Sequence, residues 1–492
     1  MDNSGTLALK QEVLIRLVKA FFSDNFEENT RLIPFDMRPK GSDVPFRCCI
    51  YKERAILRDR VIADLGFSIE NDNEETSLSV YAKEALNRKT VEDNVLTVIG
   101  AACKGCVPNR MYVTNLCQGC VARSCQSACK FGAISIVNGK SYIDSSKCKN
   151  CKMCMAACPY NAIVKIAVPC EDACPVGAIE KDENGLAKID HEKCISCGRC
   201  VKRCPFGAIN EISNLIDVLR NIKEKKEVIA MIAPSIVGQF KGTIYQLKTA
   251  MIKAGFSDVY EVAQGADITT LNEAEEFVHR MNNLQPFMTT SCCAGYNELR
   301  KKHLTEINSF ASETNTPMYY IAEIARKEHP EAVIVFISPC VAKRKEVQEN
   351  NNVDYLMNYR ELAALIEGRG INIEECEETY FKKESSKQGR NYGITGGVAG
   401  AVMKVCGKNT QIQPCIINCL NKDTIKQLRK YAKERSCPDG NLIEVMCCEG
   451  GCVGGNATLE SGKSAAKSLQ NLLSNSSDLI DESFVGCDTK LN

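Results

Sequence analysis

Cysteine is the residue type with which this sequence could do chemistry. It accounts for 30 of the 492 residues, whereas there are only four histidines, so a histidine-based zinc site or a Ser-His-Asp hydrolase has little to build on. The sequence contains no glycine-rich phosphate or dinucleotide loop either. In a reducing compartment, clustered cysteines are more often metal ligands than disulfides. The spacing of the thiols therefore decides which chemistry is available.

Two stretches have the C-x2-C-x2-C-x3-C-P spacing of bacterial ferredoxins, in which the fourth thiolate binds the neighbouring [4Fe–4S] cluster. They contain Cys148, Cys151, Cys154 and Cys158, and then Cys194, Cys197, Cys200 and Cys204. A variant of the motif precedes them, with Cys117, Cys120, Cys125 and Cys129. We predict one cluster on Cys117, Cys120, Cys125 and Cys158, and a second on Cys148, Cys151, Cys154 and Cys129.

The motif that ends at Cys204 needs a second motif to complete a two-cluster ferredoxin. Cys170 and Cys174 supply the end of one, and Cys103 and Cys106 supply a C-x2-C far upstream. We predict that one two-cluster ferredoxin is inserted into another, with clusters on Cys103, Cys106, Cys170 and Cys204 and on Cys194, Cys197, Cys200 and Cys174. In the alternative, Cys103 and Cys106 are bystanders, and three accessory clusters remain instead of four. The echoes ACKFGAI, ACPYNAI, ACPVGAI and RCPFGAI mark the internal repeat.

Three more cysteine motifs follow: TTSCCAGY (289–296), ISPCVAKRKE (337–346) and EVMCCEGGCVGG (444–455). Four of their thiolates can hold one further cubane: Cys293, Cys340, Cys448 and Cys452. We expect the Gly450–Gly451 pair to permit close backbone approach and to leave its N–H groups free to donate to cluster sulfurs. In order and context these motifs resemble the [FeFe] hydrogenase signatures T-S-C-C-P-G, M-P-C-x-x-K-x-x-E and E-x-M-x-C-x-G-G-C. The resemblance covers about residues 215–460 together with the preceding ferredoxin modules.

This resemblance implies an H-cluster, in which Cys452 also bridges to a diiron unit carrying CO, cyanide and an azadithiolate that separate maturation proteins supply. Lys343 matches the lysine that donates to a cyanide, and Met446 a methionine beside the diiron unit. Cys292 matches the cysteine that exchanges protons with the bridging amine, a task that suits a thiol. Other residues expected near the diiron unit are Ala233, Pro234, Ser235 and Ser338.

A proton route is implied by the segment GADITTLNEAEEFVHR, which matches the family's proton-pathway helix. Glu273, Glu276 and Arg280 share one helical face. Such a charged stripe is usually a solvated surface, but Ser312 also stands at the pathway serine's distance before Pro317. We therefore predict a pathway through Cys292, Glu273, Ser312, Glu276 and Arg280.

The sequence departs from the family pattern at Ala294, Ser338 and Met318, where relatives have proline, methionine and glutamine, and at Cys447, an added thiol. These departures resemble a divergent subgroup similar to the group B clostridial enzymes. The remaining thiols show no metal-like pattern and receive no role: Cys376, Cys406, Cys415, Cys419, Cys437 and Cys487. Cys48 and Cys49 we expect to be ordinary buried thiols.

Hydrophobic periodicity indicates a helical region at 1–95. The cysteine repeats mark ferredoxin-like α+β modules at 96–212, and the resemblance implies a catalytic domain at 213–492. For the catalytic domain we predict an α/β fold of two lobes, with mixed or parallel sheets flanked by helices. Candidate strands are EVIAMIAP, DVYEVA, PFMTTSC, AVIVFISPC and LIEVMCC. Several run into cysteines, and in open α/β sheets sites form at the carboxyl ends of strands.

A net charge of +1 gives no footprint for nucleic acid or an acidic membrane surface. No apolar stretch approaches the roughly 20 residues that span a bilayer, and the start does not resemble a leader, so we expect a cytoplasmic protein. The resemblance implies reversible hydrogen chemistry with ferredoxin as the electron partner. The alternatives are a hydrogen sensor, which usually lacks the proton-shuttle cysteine, and a hydrogenase-like iron–sulfur assembly protein.

Overall fold

The computed structural model describes residues 4–41, 47–103, 106, 110–407 and 410–478. The first part is helical and consists of α1 (Ser4–Phe21), α2 (Phe26–Met37), α3 (Ile50–Asp64) and α4 (Leu78–Asn87). Apolar residues of these helices, such as Val13, Leu17 and Leu57, share one core with the C-terminal part of the chain. The helical segment therefore packs against the catalytic region by burying apolar surface, the dominant favourable term in folding.

The prediction for Cys48 and Cys49 is wrong. Cys48 is exposed and Cys49 is half-buried. Both precede the first turn of α3, outside the apolar core of the helices.

The ferredoxin region consists of short strands and short helices. Its elements are β1 (Leu96–Val98), β2 (Arg110–Val113), α5 (Ser124–Ser127), β3 (Ile134–Val137), β4 (Lys140–Ile143), α6 (Met153–Ala157), β5 (Ile163–Ile166), α7 (Pro169–Ala173), β6 (Ile179–Lys181), β7 (Ala187–Ile189), α8 (Arg199–Arg203) and β8 (Ile209–Glu211). They pair as four antiparallel two-stranded sheets, β1–β8, β2–β5, β3–β4 and β6–β7.

The strand pairing is nested. β1 pairs with β8, so the chain leaves one module after β1 and completes it only with β6, β7 and β8. The intervening strands pair among themselves, β2 with β5 and β3 with β4. This topology is the one expected if one ferredoxin-like module is inserted into another.

The four sequence echoes share one turn. Their fifth residues, Gly132, Asn161, Gly177 and Gly207, all have positive φ, between 50° and 68°. A strand starts at the final isoleucine of each echo. In three of them the alanine N–H donates to the cysteine sulfur four residues earlier, at 3.2–3.4 Å. The repeat therefore places an N–H donor beside the sulfur, an arrangement that favours thiolate ligands.

The C-terminal domain begins with helix α9 (Leu215–Lys223) and contains two sheets with helices between the strands. Its strands are β9 (Val228–Ile232), β10 (Asp258–Glu261), β11 (Met288–Thr289), β12 (Val333–Ile337), β13 (Tyr355–Met357), β14 (Pro414–Ile417) and β15 (Leu442–Val445). One sheet has the order β10-β9-β12-β13 and the other β11-β15-β14, and every pair in both is parallel. The predicted segments contain β9, β10, β11, β12 and β15, whereas the short strands β13 and β14 were not predicted.

Helices connect the parallel strands, as parallel pairing requires. The connecting helices are α10 (Ile244–Ala254), α11 (Val262–Asn282), α12 (Ala294–Lys302), α13 (Pro317–Glu328), α14 (Ala342–Gln348), α15 (Tyr359–Gly368), α16 (Lys387–Asn391), α17 (Gly397–Cys406) and α18 (Lys422–Glu434). Helix α9 (Leu215–Lys223) precedes β9, and α19 (Gly462–Ser474) follows β15. Helix α11 approaches the start of α13 so closely that a Cβ at Gly265 would lie 2.0 Å from the Pro317 carbonyl oxygen. This glycine lets α11 present its polar residues to the segment just before α13. In the described part of the chain, no helix is long and apolar enough to cross a membrane.

Candidate active site

Four thiols converge at the carboxyl ends of strands from both sheets. Cys293 precedes α12 just after β11, and Cys340 lies between β12 and α14. Cys448 follows β15, and Cys452 starts the next short turn. Because β11 and β15 are parallel neighbours in one sheet, the first and third motifs reach the same edge, and the end of β12 in the other sheet brings Cys340 beside them. The backbone N–H of Cys447 donates to the Cys293 sulfur at 3.4 Å, which joins the first and third motifs.

The four thiols are half-buried and lie close to one another. Burial raises the pKa of Cys340 well above its usual value, and the charges of Cys448, Cys293 and Cys452 raise it further. Burial likewise raises the pKa of Cys452 to about 12, with further contributions from Cys293 and Cys448. Metal binding replaces the protons of such thiols. Four neighbouring sulfur donors fit an iron–sulfur cubane.

Lys343 brings a buried cation to the same place. Its ammonium donates to Glu346 at 2.7 Å, and Glu346 also accepts a hydrogen bond from Thr316. Burial opposes the charge of Lys343, but Glu346, Cys340 and Cys292 outweigh it, so the pKa of Lys343 is raised. The lysine is therefore a permanently charged donor beside the thiols, as a site with an anionic ligand such as cyanide requires.

Cys292 and Met446 lie together in an apolar pocket of the site. Met446 is buried in one cluster with Ala266, Tyr392 and Val398, and Cys292 packs against this cluster. Burial raises the pKa of Cys292 well above its usual value, and the neighbouring Glu273 adds to the rise. The thiol is therefore protonated and adjacent to a carboxyl group, as a proton donor must be.

Glu273 is fully buried and holds a proton at neutral pH. Its Oε1 accepts the Ser291 N–H at 3.2 Å, while Oε2 has no hydrogen-bond partner among the described residues. Burial raises the pKa of Glu273 to about 8; the Ser291 N–H opposes this rise, and the charge of Glu276 adds to it. A carboxyl group with this pKa can both release and accept a proton near neutrality.

The outer part of the predicted pathway is hydrogen-bonded. The Ser312 hydroxyl donates to Glu276 at 2.6 Å and lies close enough to Glu273 to favour its charged form. Arg280 binds Glu276 at 2.7 Å. Burial opposes the charge of Glu276, but hydrogen bonds from Ser312, Glu313 and Thr314 outweigh it and lower the pKa. Glu276 and Arg280 line a cavity that opens at the surface. Ser312, Glu276 and Arg280 thus form one hydrogen-bonded group that reaches this cavity, with Glu273 close to its inner end.

The remaining predicted residues also lie at this edge. The Ala233 N–H donates to the Ile337 carbonyl at 3.0 Å, which places Ala233 and Pro234 beside the segment that contains Ser338. The Ser235 hydroxyl bonds the Tyr359 hydroxyl at 2.8 Å. Burial raises the pKa of Tyr359 well above its usual value, and the charges of Cys452 and Cys340 raise it further, so the Ser235–Tyr359 pair borders the thiols.

The prediction of free N–H groups at the glycine pair is wrong, whereas the predicted close backbone approach is confirmed. The Gly450 N–H donates to the Asn418 side chain at 2.8 Å, and the Gly451 N–H donates to the Cys448 carbonyl at 3.2 Å. A Cβ at Gly451, where φ is +91°, would lie 2.7 Å from the backbone nitrogen of Thr395. The two glycines therefore let the third motif pack against the 393–395 segment instead of offering free donors.

Two buried groups at the site were not predicted. The Tyr392 hydroxyl bonds Thr270 at 2.9 Å, and Tyr392 lies close to Glu273 and Cys292. Glu444 is fully buried and accepts N–H groups of Gly396 and Ala399 at 2.6 and 2.9 Å, at the start of α17. Glu444 begins the third cysteine motif, so the sequence could have indicated it as a site residue. Nothing in the sequence connects Tyr392 with Thr270 and Glu273, which lie about 120 positions earlier.

Electrostatic contacts group eight thiols of the ferredoxin region into two sets. Cys106 and Cys170 both have a pKa raised first by burial and then by the charges of Cys204 and Cys103, which groups these four thiols. The ammonium of Lys181 donates to Cys103 at 3.2 Å. The pKa of Cys200 is raised by burial and then by the other three members of its set, Cys197, Cys194 and Cys174.

The thiols between Cys117 and Cys158 share a cavity or a neighbouring residue. One small cavity is lined by Cys129, Cys148, Cys151 and Cys154. In the other set, Cys125 contacts the Ser141 hydroxyl at 3.2 Å, Cys117 accepts hydrogen bonds from Ser141, and Cys158 packs against the cluster that contains Cys125. Cys120 is half-buried in the loop between Cys117 and Cys125. No disulfide joins any pair of cysteines in the described ranges.

Three family models match parts of the chain. Residues 226–456 match the iron-only hydrogenase large subunit, C-terminal domain, a range that contains both parallel sheets and the four converging thiols. Residues 164–215 match the LdpA Fe-S cluster-binding domain, and residues 141–164 match a 4Fe-4S binding domain. The chain thus combines ferredoxin-like iron–sulfur domains with a hydrogenase-type domain.

The relatives are remote. The chain is 26% identical over 292 residues to Iron hydrogenase 1 of Clostridium pasteurianum, covering 48% of this chain and 50% of that protein. It is 27% identical over 296 residues to the periplasmic [Fe] hydrogenase large subunit of Nitratidesulfovibrio vulgaris, covering 49% and 70%. A solved variant of the [FeFe]-hydrogenase HydA1 from Chlamydomonas reinhardtii matches with a TM-score of 0.41 at 19% identity, covering 52% and 88%. The chain spans about half the length of the clostridial relative.

Proposed function

We propose that this chain, an [FeFe]-hydrogenase-like protein by virtue of the matched domain at 226–456, catalyses 2 H⁺ + 2 e⁻ ⇌ H₂. The observation that carries the proposal is the position of Cys292. This half-buried thiol lies close to Cys293 and Cys452, two of the converging cysteines, and also close to the protonated Glu273. A proton-transfer group must be within reach of both the reacting site and a path to solvent.

The catalytic cubane is assigned to Cys293, Cys340, Cys448 and Cys452, and Cys452 would also be a ligand of the diiron unit. The resulting H-cluster, with CO, cyanide and an azadithiolate on its diiron part, would supply the metal centre for hydrogen chemistry. Lys343 is proposed to donate to a cyanide ligand, and Met446, Ser338 and Ala233–Ser235 to shape the diiron environment. The apolar packing around Met446 and Cys292 would keep bulk water out, so protons would travel only along defined donors and acceptors.

Protons are proposed to move between Cys292 Sγ and solvent through Glu273, Ser312, Glu276 and Arg280. The free Oε2 of Glu273 is the atom that supports a transfer towards Cys292. The Ser312 hydroxyl can pass a proton because it is both a donor and an acceptor. Arg280 holds the Glu276 carboxylate at the outer end of the route.

Electrons are proposed to pass through four accessory [4Fe–4S] clusters held by the sets described above, one module being nested in the other. The ferredoxin-like domains support a small electron carrier, ferredoxin, as the redox partner. The diiron unit would require maturation proteins. We further propose a cytoplasmic protein of the divergent group B-like type.

The test is a hydrogen assay on protein matured under anaerobic conditions, with hydrogen production and uptake measured in the same preparation. We expect both activities, together with infrared bands of CO and cyanide. Cys292→Ala should keep these bands and lose activity, whereas Cys406→Ala, at a thiol outside the site, should keep both. Protein with iron–sulfur clusters but without CO and cyanide bands would indicate an assembly factor. Protein with the bands but no turnover would indicate a sensor, and either outcome would refute the proposal.

A further inference from the structure

A second group of potential metal ligands includes none of the thiols assigned above. Cys415, Cys437 and Asp439 each place one donor atom within 4.8 Å of the donor atoms of the other two. Cys415 lies on β14, whereas Cys437 and Asp439 lie in the turn between α18 and β15. Within the described ranges, no other set of His, Cys, Asp or Glu residues meets this distance.

The turn at Cys437-Pro438-Asp439-Gly440 is shaped to lie against Cys415. The Gly440 N–H donates to the Cys437 carbonyl at 3.4 Å, which closes a β-turn. A Cβ at Gly440, where φ is +159°, would lie 2.3 Å from the Gln413 carbonyl and 3.1 Å from the Cys415 nitrogen. Only glycine allows this approach, which brings the two cysteines together although 21 residues separate them.

Two residues of α18 hold the Asp439 carboxylate in place. The Tyr431 hydroxyl donates to Asp439 Oδ2, and the Gln427 amide approaches the same oxygen at 3.5 Å. Hydrogen bonds of this kind orient carboxylate ligands in metal sites. Cys415 is buried and Asp439 is exposed, so a cation could enter from the solvent side and reach the buried thiol.

We propose that Cys415, Cys437 and Asp439 bind one divalent zinc ion. Two thiolates and a carboxylate are ligands that Zn²⁺ accepts, and hard cations such as Mg²⁺ avoid sulfur. In a tetrahedral site with Zn–S distances of about 2.3 Å, the two sulfurs lie about 3.8 Å apart, so the 4.8 Å grouping needs only a small contraction. Water takes the fourth position on the exposed side, and each thiol releases its proton to solvent on binding.

The role of this ion is structural. It ties the end of α18 and the start of β15 to the edge strand β14. β15 leads directly into Met446 and Cys448, so the zinc site steadies the strand that carries the third motif. This role does not depend on the reaction proposed above, and zinc binding is measured without any hydrogen assay.

The test uses the full chain with its iron–sulfur clusters in place and Zn²⁺ itself as the probe. After treatment with a chelator, the protein is titrated with Zn²⁺, and bound zinc is measured by mass spectrometry and zinc K-edge absorption. We expect one zinc per chain with two sulfur ligands and the rest oxygen. Cys415→Ser and Cys437→Ser should lose this zinc with unchanged iron content, while Cys376→Ser, at another buried cysteine, should keep it.

Asp439→Asn provides a test at an exposed position, in case a cysteine variant does not fold. We expect it to fold with normal iron content and to bind zinc at least tenfold more weakly. The proposal fails if the wild-type chain binds no zinc at stoichiometric concentration, or if these variants bind it as tightly as the wild type. It also fails if thiol alkylation under anaerobic conditions reveals a Cys415–Cys437 disulfide in place of a metal site.

Discussion

The thiol of Cys447 hydrogen-bonds the sulfur of Cys197, across the boundary between the ferredoxin region and the catalytic domain. The same thiol also hydrogen-bonds Cys448, so it lies between a proposed accessory-cluster ligand and a proposed ligand of the catalytic cubane. The boundary is reinforced by Asn456, whose amide donates to the Cys197 carbonyl. Cys447 is one of the departures from the family signature, and its position makes it a link between the two cluster sites.

Removing this thiol should change the reduction potential of the cluster that Cys197 holds. Hydrogen bonds to cluster sulfurs stabilise the more negative, reduced state and thereby raise the potential. We expect Cys447→Ala to make this potential more negative, as measured by a redox titration followed by electron paramagnetic resonance. Cys447→Ser is the matched control, because its hydroxyl can still donate, and it should shift the potential less. Equal potentials in all three proteins would contradict the role assigned to Cys447.

Glu273→Gln should suppress turnover and leave the metal centre intact. The amide cannot exchange a proton with Cys292, and a positioned proton-transfer group typically contributes about 10²–10⁴-fold in rate. We expect hydrogen production and uptake to fall by at least about a hundredfold, with unchanged iron content and unchanged CO and cyanide infrared bands. Glu275→Gln, at an exposed position on the same helix, should have close to full activity. Full activity of Glu273→Gln would exclude the proposed route.

The pH dependence of the two directions should differ in sign. Burial raises the pKa of Glu273 to about 8, so this carboxyl group carries its proton below that pH and loses it above. Hydrogen production needs the protonated form and should fall as pH rises through about 8, whereas uptake needs the ionised form and should rise. Infrared difference spectroscopy should detect a carboxyl C=O band that is lost over the same range. The residual activity of Glu273→Gln should not show the change with pH near 8. A carboxyl band of the wild type that is already lost at pH 6 would contradict the pKa assigned to Glu273.

The nested arrangement predicts a specific loss of iron. Cys103 belongs to the set that also contains Cys106, Cys170 and Cys204, so Cys103→Ala should remove one accessory cluster, or about four iron atoms per chain. Cys406→Ala, outside every set, should leave the iron content unchanged. Unchanged iron in Cys103→Ala would mean that Cys103 is a bystander and that three accessory clusters suffice.

Much of the site follows from the sequence, because thiolate clusters need particular residue types at short spacings. The ferredoxin motifs predict local ligand sets, since a short loop can place only nearby sulfurs on one cluster face. Strands that run into cysteines predict a site at strand carboxyl ends, and the thiols do follow β11 and β15 of one sheet and β12 of the other. The helical stripe of Glu273, Glu276 and Arg280 likewise follows from the 3.6-residue period of α11.

Only the tertiary structure decided the contacts between residues that are distant in sequence and that no single motif joins. The cysteine motifs predict that one ferredoxin module is inserted into another, but the pairing of β1 with β8 that closes the outer module is seen only in the structure. Gly440 brings Cys437 against Cys415, so two thiols without any motif become neighbours. The Cys447–Cys197 hydrogen bond arises in the same way, from the docking of one domain on another. Local spacing determines which ligands a loop can offer, whereas packing of the whole chain determines which loops meet.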